Sequence, residues 1–358
     1  MKTYLFCSLY YDRNTTTGAN KRFENFILHF ENLLAEDESI IVAVKNNNIP
    51  DMLAACKKIS FIQVPRFFFL DRIFSFVYLS IKFYMLKPMV VISDFMPIPI
   101  KSLSKHMHYQ LIHDIRNFTE YKRSSFLNTA KSTQKRQWRK SGKIMTVSNF
   151  TRDQLISECQ IDKDDIFVSY NGIDERYIEN TSNKERDIDI SYIATFEKRK
   201  NHRYLIEALS NYSGSKKLRV LFIGKDLGLL NKVIDEAKSL ENIDLSVVDS
   251  ITNEEEIISI YDRTKLFVYP SLYEGFGMPL IEAISRGCKL ICSDIPVFRE
   301  IGGDIPIYFN PNSSSNELMS IIEDQLDISS DSKDKLDYLK AFKWENITEK
   351  FYLHINRK

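Results

Sequence analysis

The sequence predicts an α/β protein made of two Rossmann-like domains that face each other across a cleft. Three observations lead there: an alternation of short apolar runs with helical stretches in the first half, a cleaner repeat of it in the second, and a polar stretch between them. The runs YLFCSLY, SIIVAV, MVVISD, YQLIHDI, KIMTVS and DIFVSY alternate with stretches at helical spacing such as KRFENFILHFENLLAE and FTRDQLISEC. Such alternation predicts a parallel sheet with helices on both faces. In the second half DISYIA, LRVLFIG, IDLSVVD, KLFVYP, KLICSD and IPIYF read as strands. HRYLIEALSNY, LLNKVIDEAKSL, NEEEIISIYDRT, MPLIEAISRG and VFREIG read as the helices between them. Thr252 with Glu255 reads as a capping box, and Gly287 suits a helix end. The polar stretch 174–189 lacks apolar periodicity and takes the linker, which gives domains 1–175 and 186–340. Ligands of open α/β sheets bind beyond the carboxyl ends of the strands, so a cleft between two such sheets suits a bipartite substrate.

Composition narrows the function classes. The chain has 358 residues, 44% hydrophobic and 27% charged, which excludes a disordered or fibrous protein and leaves room for two domains. A formal net charge of +1 gives no excess that would point to nucleic acid. Cys7, Cys56, Cys159, Cys288 and Cys292 lack the paired spacing of a zinc site or disulfide scaffold and read as reduced, buried thiols. At the N-terminus, MKTYLFCSLYYDRN meets polar residues too soon for a signal peptide and reads as a first strand. The most apolar region, 67–86, is interrupted by Asp71, Arg72 and Lys82, which favours a buried or interfacial helix over a membrane span.

Chemistry concentrates in PSLYEGFGMPLIEAISRG (270–287), which follows a predicted strand and runs into a helix. Gly275 and Gly277 allow close backbone approach, and the helix starting at Met278 offers free N–H groups and a positive dipole end to a phosphate. Glu274 before this seat and Glu282 two turns beyond it can each reach a hydroxyl group; a lone glycine turn with a solvated glutamate is the plainer alternative. A second segment, SYIATFEKRKNHRYLIEAL (191–209), places Arg199 and Lys200 before a helix N-capped near Asn201, and Lys200 reads as a mobile point charge for a diphosphate. In LIHDI, His113 and Asp114 end a predicted strand, where a histidine is either structural or functional.

These segments resemble the retaining family 4 glycosyltransferases of GT-B fold. The resemblance implies that Glu274 contacts the transferred sugar, that Glu282 holds the ribose, and that backbone around Gly275, Phe276, Gly277 and Met278 completes the donor site. It places His113 opposite the donor sugar and, with Arg199 and Lys200 at the diphosphate, implies catalytic roles for His113, Glu274 and Lys200. VSNFTRDQL (147–155) and SYNGID (169–174) are similar to the family's pre-helix serine and its Asn-Gly turn. TGANKRF (17–23) takes the place of the glycine-rich acceptor loop with Gly18 as its one glycine, so Gly18 and Asp114 are the acceptor-side residues implied. KWENITEKFYLHI resembles the helix, within 341–358, that crosses back to the first domain. Ala194 and Thr195 depart from the family's glycine, in a form similar to bacterial mannosyl- and rhamnosyltransferases.

The resemblance thus implies a retaining hexosyltransferase for surface glycan synthesis, cytoplasmic, at or near the inner face of the membrane. It would need neither metal nor cofactor, take a nucleotide-sugar donor, and use a lipid diphosphate-linked or oligosaccharide acceptor. An epimerase or glycogen-type synthase of the same fold, or an idle binding subunit, are the rivals. Segment 121–143 has eight Lys or Arg and no Asp or Glu. It reads either as a solvated face or as a patch for an anionic membrane, with Trp138 as anchor. RFFFLDR (66–72) could add an apolar contact to that patch, with core packing the favoured reading.

Overall fold

The computed structural model describes residues 2–15, 17–66, 71–94, 107–116, 135, 136, 138, 139, 142–178, 185–327 and 336–357. Its elements run β1 (Lys2–Ser8), α1 (Gly18–Glu31), β2 (Glu38–Lys45), α2 (Asp51–Ala54), β3 (Ile59–Val64), α3 (Asp71–Leu86), β4 (Val90–Asp94), β5 (Met107–Ile112), β6 (Lys143–Thr146), α4 (Asn149–Cys159) and β7 (Ile166–Val168). They continue with β8 (Ile188–Ile193), α5 (His202–Leu209), β9 (Leu218–Ile223), α6 (Leu230–Ala237), β10 (Ile243–Val248), α7 (Glu254–Arg263), β11 (Thr264–Tyr269), α8 (Met278–Ser285), β12 (Lys289–Ser293), α9 (Pro296–Gly302) and β13 (Ile307–Phe309). The chain ends with α10 (Ser315–Asp327), α11 (Leu336–Leu339) and α12 (Trp344–Asn356).

The chain divides into an N-terminal unit, Met1–Gly172 with Phe342–Lys358, and a C-terminal unit, Ile173–Ala341. In the first, seven parallel strands lie in the order β3-β2-β1-β4-β5-β6-β7. In the second, six parallel strands lie in the order β10-β9-β8-β11-β12-β13. Both are doubly wound, and each reverses its winding beside its first strand: between β1 and β4, and between β8 and β11. At such a switch point adjacent loops leave in opposite directions and open a crevice at the carboxyl edge.

Helix α1 shows how sequence sets these elements. Thr17 caps it by accepting from Asn20 N–H at 3.2 Å, and Phe26, Ile27 and Phe30 bury one face. The C-terminal α12 packs on that face, with Trp344 and Phe351 against Phe26 and Phe351 against Phe30. Gly172, of the Asn-Gly pair, is where the Trp344 ring lies: a β-carbon there would come within 2.3 Å of it. Ser148 caps α4 by accepting from Thr151 N–H at 3.1 Å.

Several expectations are corrected. Strand β3 was not expected. Helix α7 is capped by Asn253, whose side chain accepts from Glu255 N–H at 3.0 Å, and not by Thr252. Asn201 stands at the start of α5 in a left-handed conformation, φ 57°, and makes no side-chain cap. Of the basic segment 121–143, residues 121–134, 137, 140 and 141 lie outside the described residues, as do 67–70 of RFFFLDR. Trp138 is not an interfacial anchor: it is buried in a cluster with Ile112, Ile115, Ile144 and Leu155. Two cations of that segment serve α4 locally, Lys135 donating to the Glu158 carbonyl and Arg139 to the Cys159 carbonyl. The five cysteines are free thiols, and all but Cys56 are buried. Among the described residues, no helix is long and apolar enough to cross a membrane.

Candidate active site

Three predicted residues converge at the switch point of the C-terminal sheet. Strand β8 delivers the loop 194–201 and β11 the loop 270–277, and the two are tied by Leu272 N–H donating to the Arg199 carbonyl at 2.8 Å. Glu274 is buried there. Lys200 Nζ donates to its Oε1, Arg199 Nη1 to its Oε2 at 2.8 Å, and the Tyr269 hydroxyl to Oε1 at 3.1 Å. Arg199 Nη2 also pairs with Glu197 at 2.7 Å. The Tyr192 hydroxyl, donating to the Lys200 carbonyl at 2.7 Å, fixes the backbone beneath the cluster.

The electrostatics follow from enclosure. Burial alone would raise the Glu274 carboxyl, but Lys200 and then Arg199 outweigh it and hold it at about 2. Lys200 is lowered from the ordinary lysine range, first by burial, with Glu274 opposing that shift. Two carboxylates and two cations make a neutral cluster, so Lys200 is not the mobile charge the sequence suggested. Its ammonium is already engaged, and any anion entering here competes with Glu274 for both cations.

Helix α8 begins directly after this loop. Its N-cap Gly277 has φ 94°, and a β-carbon there would come within 2.9 Å of Phe298, so both backbone strain and packing call for glycine. Gly275 and Met278 are half-buried, whereas the Phe276 side chain goes into the core, leaving only its backbone available to a ligand. About one turn into α8, Glu282 is buried and accepts from the Tyr261 hydroxyl at 3.0 Å. The loops after β8 and β9 touch so closely that a β-carbon on Gly224 would lie 1.8 Å from the Ala194 carbonyl oxygen. Ala194 therefore stands where the close approach is made by Gly224 instead.

In the N-terminal unit, His113 follows β5 and Asp94 ends β4, which sets His113 Nε2 3.5 Å from Asp94 Oδ1 at the carboxyl edge of the sheet. Asp114 accepts from Arg116 N–H at 3.0 Å, a local turn role. Gly18 opens α1 without positive φ, so nothing in its backbone requires glycine. The loop before it is organised instead by Asn20, which donates to the carbonyls of Asp12 and Thr15 at 2.7 and 2.9 Å.

Sequence reading missed four residues. Tyr192, Tyr261 and Tyr269 read as core aromatics, and only a tyrosine at the very end of a predicted strand, as at Tyr269, signals that a hydroxyl is wanted at the crevice. Arg22, buried on α1, donates to the Tyr170 carbonyl at 2.7 Å and Ser169 Oγ at 2.9 Å. Burial lowers it to about 9, and Asp94 opposes that. Among the described residues, no group of three or more His, Cys, Asp or Glu is placed to hold a metal ion.

Residues 174–335, which include the Glu274 cluster, match the family described as Glycosyl transferases group 1. The chain is 28% identical over 214 residues to the O-antigen chain mannosyltransferase RfbU of Salmonella typhimurium, covering 57% of both chains. It is 27% identical over 224 residues to O-antigen chain mannosyltransferase B of Escherichia coli, covering 57% of this chain and 58% of that one. It thus spans a little over half the length of these curated relatives. Among solved structures, a glycosyltransferase from Rickettsia africae aligns over 100% of this chain and 99% of its own, at TM-score 0.72 and 16% identity. Anabaena Alr3699/HepE in complex with UDP and glucose aligns over 99% of each chain at TM-score 0.74 and 13% identity. These likenesses show the fold, which is GT-B.

Proposed function

We propose that this chain, whose residues 174–335 form a glycosyl transferases group 1 domain, is a retaining glycosyltransferase of bacterial surface glycan synthesis. The donor is a nucleoside diphosphate hexose, with mannose favoured over rhamnose by the names of its relatives. The acceptor is a growing oligosaccharide or a lipid diphosphate-linked glycan, and transfer takes place on the cytoplasmic side.

One observation carries the reading: Glu274, Lys200 and Arg199 meet at the switch point of the C-terminal sheet, beside the start of α8. A diphosphate is a stronger competitor for two cations than one carboxylate. On binding it would draw on Lys200 and Arg199 and leave Glu274 to accept from sugar hydroxyls. Charge develops on the departing diphosphate as the glycosidic bond to it breaks, so the two cations and the α8 N–H groups stabilise the transition state more than the ground state. These fixed positive groups supply what a divalent cation supplies elsewhere, so no metal is required. Glu282, already holding Tyr261, takes the ribose. His113, in the N-terminal unit, is assigned to the transferred sugar on resemblance. The reading ranks above an epimerase because the relatives it matches are named transferases, and above an idle subunit because the buried Lys200–Glu274 pair is a costly thing to keep for no ligand.

The test is a thermal-shift screen against GDP, UDP and dTDP and their hexose conjugates, followed by transfer from labelled donor. A ligand at a hundred times its dissociation constant stabilises by about 2.7 kcal/mol. One nucleotide family should raise Tm and its sugar conjugate should turn over with acceptor. Binding without turnover points to the idle subunit, and donor conversion without acceptor to the epimerase.

A further inference from the structure

A parallel strand covered on both faces can end in phenylalanine as well as in tyrosine, and a phenol buried there without a partner forfeits its hydrogen bond to water. Strand β11 ends in Tyr269, which is fully buried. Its ring is walled by Tyr192, Phe267 and Phe298, with centroids 5.8, 5.7 and 4.6 Å away. The loop that carries Glu274 leaves the sheet at this residue and returns over the same ring: the β-carbon that Gly277 lacks would lie 3.8 Å from Tyr269 Cε1. Enclosure on these sides fixes the ring, and a fixed ring fixes the direction of its hydroxyl. That hydroxyl donates to Glu274 Oε1 at 3.1 Å.

The donors on Glu274 differ in how they respond to a diphosphate. Lys200 and Arg199 are cations, and an incoming diphosphate competes for both. Ser271 also reaches the carboxylate, but it rides on the same loop and shares its hydroxyl with Tyr192 at 3.3 Å. Tyr269 is neutral and belongs to the sheet. Burial, then the charge of Glu274, pushes its phenol well above the ordinary tyrosine range, so it remains a donor at neutral pH. It brings no positive charge to a phosphate, and it stays with Glu274 when the cations are drawn away. Lys200 Nζ lies 5.8 Å from the same ring centroid, which makes Tyr269 the common backing of the carboxylate and the cation beside it.

We propose that Tyr269 is a positioning residue for sugar transfer: on donor binding its hydroxyl keeps Oε1 of Glu274 in place and presents Oε2, the oxygen that Arg199 releases, to a hydroxyl group of the transferred hexose. This rests on the assignment of Glu274 to the sugar and deepens it, because the sheet, through Tyr269, then sets which sugar hydroxyl the carboxylate accepts from.

The experiment compares the full chain as wild type, Tyr269→Phe, Glu274→Ala and the double variant. Calorimetry with GDP, UDP and dTDP gives bare-nucleotide affinity, and steady-state turnover of the hexose conjugate of the nucleotide that binds gives kcat and KM. Tm is recorded for each variant. Phenylalanine keeps the ring and its packing, so Tyr269→Phe should bind the bare nucleotide as wild type does and keep the donor KM. Its kcat should fall roughly 10- to 150-fold, the loss of one hydrogen bond to a charged group. Added to Glu274→Ala, Tyr269→Phe should lower turnover no further, because it acts through that carboxylate, whereas a merely structural contribution would add. The proposal alone is overturned if Glu274→Ala loses turnover while Tyr269→Phe keeps it, if the two losses add, or if Tyr269→Phe loses bare-nucleotide binding along with kcat. A Glu274→Ala variant as active as wild type, or a wild type that binds none of the nucleotides, instead removes the assignment of Glu274 and the proposal with it.

Discussion

His202 shows how much a single side chain can do without touching a ligand. It is buried between the rings of Tyr192 and Phe196, each centroid 4.6 Å away, one residue beyond the Lys200–Asn201 pair. Burial, then the charge of Lys200, lowers its imidazole to about 3. An unfolded histidine takes a proton near pH 6.5. Between about 6.5 and 3 the unfolded state therefore binds more protons, and stability falls as pH falls. Glu274, held at about 2, adds a loss of the same sign at lower pH, from about 4.5 downward. His202→Phe should shrink the drop in urea midpoint between pH 7 and pH 5 relative to wild type. Far-UV circular dichroism is the readout, since both tryptophans, Trp138 and Trp344, lie in the N-terminal unit. An unchanged drop would show that His202 titrates normally. The identities of Glu274, Lys200 and Arg199 were legible in sequence, but their mutual ion pairing was not, because residues 199–200 and 274 are brought together only by the β8–β11 pairing.

The loop into α8 is the element on which the donor site depends, and Gly277 is its hinge. Alanine there would hold φ 94° at a cost of about 1–3 kcal/mol and press on Phe298. Gly277→Ala should therefore lower Tm and weaken nucleoside diphosphate binding together. Loss of stability with unchanged binding would separate α8 from the phosphate. The inner strands of the C-terminal sheet were legible because parallel strands covered on both faces read as largely apolar runs, and the edge strand β10 because Ile243, Leu245 and Val247 alternate with Asp244 and Ser246. Strand β3 was not: it is the edge of its sheet, beside β2 alone, and Ser60 and Gln63 break its apolar pattern. Helix α7 was legible, but its cap was placed one residue early, since Thr252 and Asn253 are both capping residues and only the backbone chooses between them.

At the scale of the molecule, the order of strands places the chemistry. Both sheets wind outward from their first strand, so the switch points follow from connectivity, and sequence alternation alone could not give that order. The Asn-Gly pair and the tryptophan that fills the space beside Gly172 are 172 residues apart, which is why the docking of α12 had to come from resemblance rather than from pattern. Because fixed cations are assigned to the diphosphate, transfer should survive excess EDTA; loss of turnover restored by Mg²⁺ or Mn²⁺ would move that charge to a metal. The central claim is that the Glu274 cluster receives the sugar-diphosphate end of the donor while Glu282 receives its ribose. Calorimetry of wild type, Glu274→Ala and Glu282→Ala tests it directly, using the nucleoside diphosphate selected by thermal shift and its hexose conjugate. Glu282→Ala should weaken the bare nucleotide roughly 10- to 150-fold, the loss of one charge-assisted hydrogen bond. Glu274→Ala should bind the bare nucleotide as tightly as wild type or tighter, its two cations being released to the phosphates, while kcat/KM for transfer falls by a comparable or larger factor. If Glu274→Ala abolishes binding of the bare nucleotide and Glu282→Ala leaves it intact, the assignment of the two carboxylates, and with it the placement of the donor, is contradicted.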